Sequence, residues 1–237
     1  MANHAILNEE QHRDLRVLTG HGEQYGDDVM FTLAIPSEFR NLVSDYPIFL
    51  HRDSDSGRLL PMAMFGFEEG ENLFLDESGW HAGYVPLMMQ RGPFMIGIRG
   101  EERQMVVTID TDSPRVGSEG EPLFQPFGGN SDYTEQIIEI LQAIDRGQPQ
   151  IEEFCRLLEE HGLVEPFSLE VTLNSGKKYR LEGFYTISEE RLSALDGAVL
   201  SDLGRRGMLH AAYMVLASMA NIPRLIELRN RREQAGM

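Results

Sequence analysis

The chain has 237 residues, of which 41% are apolar, 25% charged and 8% aromatic, a composition near the soluble globular average and unlike collagen, a coiled coil or a disordered tail. A chain of this length buries a core without disulfide or metal staples. Its 21 basic and 38 acidic residues leave a net charge of −17, a field that repels phosphate backbones and anionic headgroups and so excludes nucleic acid or a membrane surface as the main partner.

Residues 1–17 contain no apolar run of secretory-signal length. Residues 29–35, 46–50, 59–67, 93–98 and 103–109 are apolar runs of strand length bounded by Gly, Asp and Ser. Residues 54–57 and 99–102 carry the turn chemistry of hairpin connections. Pro36 and Pro61 predict that some of these strands lie at an edge or are interrupted. The segment 110–130 holds four Gly and three Pro, and a connection this long is expected to be a functional lid, an unstructured loop or a boundary between lobes.

From residue 131 the period becomes helical. Asp132 with Glu135 has the form of a capping box, and Ile137, Ile138, Leu141 and Ile144 trace a stripe that Gly147 is expected to stop. A second helix opens at Pro149, suited to a first turn, and ends at His161 and Gly162. Residues 167–173 and 178–187 read as one hairpin, and Ser188 caps a third helix that carries Glu189 and Glu190 at its positive end. Residues 208–219 are apolar on nearly every face, so that helix is buried centrally or in an oligomer interface, with a homodimer through the C-terminal helices as one arrangement. Residues 207–222 fall short of the roughly 20 apolar positions of a membrane span. Pro223 restarts a final helix over 225–232. From Arg205 onward six Arg face only Glu227 and Glu233, a net of +4, so residues 1–204 hold −21. The basic tail is expected to dock on acidic surface of its own chain or of a second copy; it lacks the interleaved aromatics of a nucleic-acid site. The pattern predicts an α+β fold: a β-rich N-terminal part packed with a mainly helical C-terminal part containing one β-hairpin. A single domain over 1–237 is expected, with a β-rich lobe 1–110 and a helical lobe 131–237 as the alternative.

Phosphate-loop, dinucleotide, serine-elbow and zinc-helix motifs are absent, and both lysines sit in one turn at 177–178. The one cysteine, Cys155, lies on an amphipathic helix and reads as a buried structural thiol in a reduced, cytoplasmic setting. No cofactor is expected. One metal arrangement survives: His51 and Asp53 after an apolar strand resemble half of a 2-His-1-carboxylate iron site, with His81, His161 or His210 as distal ligand and Arg180 to hold an oxoacid. The competing reading is a solvated hairpin end. A denser feature is the crowding of Trp80, Tyr84, Pro86, Arg91, Pro93 and Phe94, with Asn72 just upstream. Trp, Tyr and Arg dominate binding hot spots, but Trp and Tyr also bury well when their polar tips find partners, and Asn and Asp bond readily to turn backbone. Asn72, Trp80, Tyr84 and Arg91 are therefore the candidate ligand- or partner-binding set, with no catalytic residue assigned.

The string Tyr46-Pro-Ile, the run from Gly70 to Trp80, Tyr84-Val-Pro and Arg91-Gly-Pro-Phe resemble the central signature of the SapC family. Gly183-Phe-Tyr, Leu192, Gly207, Leu209, Tyr213, Ser218 and Asn221 are similar to its closing motif. The chain departs from the family pattern at His51, where a residue unable to bind iron is common, and near Val215, where many members carry a histidine. The resemblance implies a soluble bacterial accessory protein, named for a surface-layer locus and associated with a peptide or protein partner or an envelope component. It implies no settled reaction.

Overall fold

The computed structural model describes residues 3–100 and 104–236. In chain order the strands are β1 (His4–Ile6), β2 (Arg16–Val17), β3 (Phe31–Leu33), β4 (Ile48–Arg52), β5 (Leu59–Met64), β6 (Leu75–Asp76), β7 (Gly79–Trp80), β8 (Phe94–Arg99), β9 (Gln104–Asp110), β10 (Val116–Gly117), β11 (Glu121–Pro122), β12 (Val164–Thr172) and β13 (Lys178–Ile187). The helices are α1 (Glu9–His12), α2 (Phe39–Leu42), α3 (Leu87–Gln90), α4 (Asp132–Glu160), α5 (Glu189–Ser193), α6 (Gly197–Arg205), α7 (Met208–Ser218) and α8 (Ile222–Gln234). An antiparallel five-stranded sheet has the order β12-β13-β4-β5-β3, and a three-stranded sheet has the order β1-β9-β8. The fold class is α+β. The predicted turn at 99–102 lies partly outside the described residues.

The strongest alternation in the sequence gives the expected hairpin. Tyr179 and Leu181 of β13 point inward and are followed, after an irregularity near Gly183, by buried Phe184. Pro61 is not on an edge strand: β5 lies between β4 and β3. It is tolerated because its carbonyl accepts from Ala34 while its missing N–H falls where β3 has already ended.

The largest correction concerns the expected pair of helices before residue 162. They are one helix, α4, running through both Gly147 and Pro149. Buried Ile137, Leu141 and Ile144 continue on the same face as Ile151, Phe154 and Leu158. Burying each such side chain contributes about 1.5–3 kcal/mol, and together they outweigh the roughly 3 kcal/mol penalty of an interior proline. Gly147 is a contact point, not a stop signal: a methyl there would overlap Cγ2 of Ile35 and stand 3.1 Å from its Cδ1. The cap also sits one residue earlier than expected, since Ser131 Oγ accepts the Thr134 N–H at 3.1 Å while Glu135 accepts from Asn130 at 2.7 Å.

Two buried apolar clusters result. The larger is built on the five-stranded sheet and takes in Ile144, Ile151 and Phe154; the smaller gathers Val17, Phe94, Ile109 and Leu123 around Ile137 and Leu141. Helix α4 belongs to both. The 110–130 segment carries regular structure: β10 and β11 both pair with β2, and Leu123 is fully buried. The basic tail docks on its own chain: Arg224 pairs with Asp45 at 2.7 Å, Arg229 with Glu71 at 2.9 Å, and Arg232 donates to the Asn72 carbonyl at 2.9 Å. No helix among the described residues is long and apolar enough to cross a membrane.

Candidate functional site

The short hairpin β6–β7 presents Trp80 edge-on to Phe65 and His21, with ring centroids 5.2 and 5.3 Å away. Its indole N–H donates to the Tyr46 hydroxyl at 2.8 Å, and that hydroxyl donates to the Tyr84 carbonyl at 2.5 Å. Tyr46 is fully buried, and desolvation holds its phenol well above the ordinary tyrosine range. The Tyr84 hydroxyl donates to Glu38 Oε2 at 3.0 Å, where the Leu87 N–H also donates at 3.0 Å, while Ile35 N–H reaches Glu38 Oε1 at 3.0 Å. Glu38 is buried, and desolvation raises its pKa although all three donors favour the carboxylate. The polar tips of Trp80 and Tyr84 are thus spent inside the protein. They tie the chain around residues 80–87 to the start of α2 and the loop before β4.

Asn72 is buried too. Its Nδ2 donates to the Asp27 carbonyl at 2.9 Å, and its Oδ1 accepts from Phe74 N–H at 3.0 Å. Asp27 gathers three donors on one oxygen: Arg115 Nη2 at 2.6 Å, Gly22 N–H at 2.9 Å and His21 Nδ1 at 3.1 Å. Burial opposes ionisation of Asp27, but the bonds from His21 and Gly22 and the charge of Arg115 win, and its pKa lies below the ordinary aspartate value. Arg115 also donates to the Leu18 and Gly20 carbonyls and lies 4.5 Å over the Tyr25 ring. Asp27 and Arg115 were both missed in the sequence. The available signal was Arg115, the one arginine in the 110–130 segment, since a cation in a Pro/Gly-rich loop invites a search for a buried acid.

Arg91 is different. It closes the four-residue helix α3 and donates from Nη1 to the Phe94 carbonyl at 2.8 Å, whereas its Nε is buried with no partner. It forms no ion pair among the described residues, and burial alone lowers its pKa below the ordinary arginine value. Arg91 lines an open cleft of about 360 Å³ together with Arg115, Asp27, Tyr25, Met88 and Met89. Arg115 and Asp27 neutralise each other, so Arg91 is the lining arginine without a paired acid among the described residues, and Asp110 also lines the cleft. Trp80 through His21, Asn72 through Asp27 and Arg91 through the shared cleft thus border the segment 21–27, Tyr84 turns to Glu38 instead, and of the four only Arg91 lines the cleft.

The iron-binding alternative does not assemble. His51 lies within β4 between the rings of Phe31 and Phe184, at 5.8 and 5.6 Å, and Asp53 accepts from Ser56 in the following turn. His81 bonds Asp76 at 2.7 Å, and Arg180 pairs with Glu182 at 2.7 Å on the exposed face of β13. Among the described residues no three His, Cys, Asp or Glu side chains gather to hold a metal.

A family model for SapC matches residues 7–225. The chain belongs to the SapC family. No curated protein and no solved structure matches it. The SapC match takes in Tyr25, Asp27, Arg91 and Arg115, so the cleft is built almost wholly from the family's portion of the chain.

Proposed function

We propose that this SapC-family chain is a cytoplasmic accessory protein that binds, without transforming, a ligand bearing an anionic group, such as a peptide or an envelope component, in the cleft beside Arg91. One observation carries the reading: a largely buried guanidinium, unmatched by any acid among the described residues, opens onto a preformed cavity. Desolvating a charge is expensive unless something pairs with it, and Arg presents a planar fork suited to carboxylate. Asn72, Trp80 and Tyr84 then act as the frame that holds the walls, while Arg91 touches the ligand.

The test is a titration of the protein with sodium acetate followed by amide NMR. Saturating shifts are expected around residues 25–32 and 88–95, and these are lost in Arg91→Gln. If a folded Arg91→Gln protein binds acetate as the parent does, the reading is wrong.

A further inference from the structure

The same cleft runs along an open sheet edge, and that edge says what kind of molecule lies in it. Strand β3 is the last strand of the five-stranded sheet, with β5 on one side and, among the described residues, no strand on the other. Ala34 N–H donates to the Pro61 carbonyl at 2.9 Å, and Phe65 N–H donates to the Met30 carbonyl at 2.7 Å. Positions 30, 32 and 34 therefore turn their main-chain groups toward β5. Because hydrogen-bonded and open positions alternate along an antiparallel pair, the N–H and C=O of Phe31 and Leu33 turn the other way. Met64, directly opposite Phe31, agrees with this: its N–H donates across to Pro47 at 3.0 Å, on the far side of β5.

Phe31 and Thr32 both line the cleft. Their side chains leave opposite faces of the sheet, so the cavity follows the edge of the strand instead of lying over one face. Across it stand Pro93 and Met95, the latter in β8, which is the terminal strand of the three-stranded sheet. An unfilled strand edge is a template for an added strand. Three unbranched thioethers, Met88, Met89 and Met95, wall the same space and adapt to side chains of different shape.

Charge and size narrow the choice. Asp27 is held by Arg115, and Asp110, which also lines the cleft and keeps its negative charge, has its Oδ1 engaged by the N–H groups of Asn3 at 2.8 Å and Asp112 at 3.2 Å, so the anionic end of a ligand is directed to Arg91. A volume of about 360 Å³ is near the lower limit for ligand pockets, room for the end of a chain and not for a long segment. We infer that the cleft binds the C-terminal residues of an extended peptide, added as a strand along β3, with the terminal carboxylate on Arg91. This rests on the anion-binding reading above and goes further by naming the ligand class and its backbone pairing.

The probe is an equimolar library of N-acetylated tetrapeptides with free carboxyl termini, compared with the same library amidated and with a backbone N-methylated version. The free acids are expected to bind about tenfold or more tightly than the amides, as befits a lost charge-assisted hydrogen bond. N-methylation is expected to weaken binding as well, and the amides of Phe31 and Leu33 are expected to exchange more slowly with the free-acid library bound. If acetate binds through Arg91 while all three libraries bind alike and Phe31 and Leu33 gain no protection, strand addition is refuted and the anion site stands. If neither acetate nor any library binds the parent protein, both readings fall.

Discussion

Gly147→Ala is the substitution for which simple helix propensity and the structure disagree most clearly. In an exposed helix interior the change would stabilise by about 1 kcal/mol. In α4 the new methyl would overlap Cγ2 of Ile35 and lie 3.1 Å from Cδ1 and 3.4 Å from Cβ. Ile35 is itself fully buried, with its N–H held by Glu38, so it has little room to retreat. Overpacking of this kind costs about 1–3 kcal/mol, and subtracting the propensity gain of about 1 kcal/mol leaves a net loss of about 0–2 kcal/mol. Urea unfolding followed by circular dichroism measures it. A second arm isolates the cause: Ile35→Ala alone loses about 2–5 kcal/mol, but in that background Gly147→Ala becomes stabilising because the clash has gone. Gly147→Ala gaining the full propensity increment of about 1 kcal/mol with Ile35 in place would refute the close approach.

Asp27→Asn is expected to destabilise by about 3–5 kcal/mol, because it leaves the Arg115 guanidinium buried without its counter-charge; an unfolding midpoint within error of the parent would remove the pair from the structural account. Cys155, whose thiol is pushed up to about 12 by burial, is expected to resist iodoacetamide at neutral pH until urea unfolds the chain, and rapid alkylation of the native protein would contradict its burial. Glu38 has a raised pKa in the folded state, so as pH rises the unfolded chain gives up this proton first. Its share of stability then falls from the ordinary glutamate range, about 4.3, upward until the folded carboxyl ionises too. Glu38→Gln is expected to flatten that decline and to cost about 1–3 kcal/mol at neutral pH, since an amide NH₂ replaces one of two acceptor oxygens. Unchanged pH dependence in urea melts would count against it.

Elements with a clean local period could be read from the sequence, as the hairpin β12–β13 and the buried stripe of α4 illustrate. The break at 147–149 could not, since Gly and Pro are local stop signals whereas the burial that overrides them comes from residues far away, Ile35 among them. The order within the 110–130 segment was hidden for a related reason. Its glycines and prolines make turns, but the partner that orders those turns, β2, lies about a hundred positions earlier. At the candidate site, Trp80, Tyr84 and Arg91 stood out by type and crowding alone. What set them apart in space was the buried partners Tyr46 and Glu38, which absorb two of the polar tips and leave the guanidinium unmatched. Asp27 and Arg115 are separated by 88 residues, and no spacing rule connects them.

Helix α4 runs about 44 Å at 1.5 Å per residue over its 29 residues, and it is rooted in the apolar clusters behind both walls of the cleft, the one that carries β3 and the one that carries Phe94 at the start of β8. A rod fixed at both ends holds those walls at a set spacing. Opening by a hinge would have to bend it, so any adjustment of the cleft to a guest would fall to side chains such as the lining thioethers of Met88, Met89 and Met95.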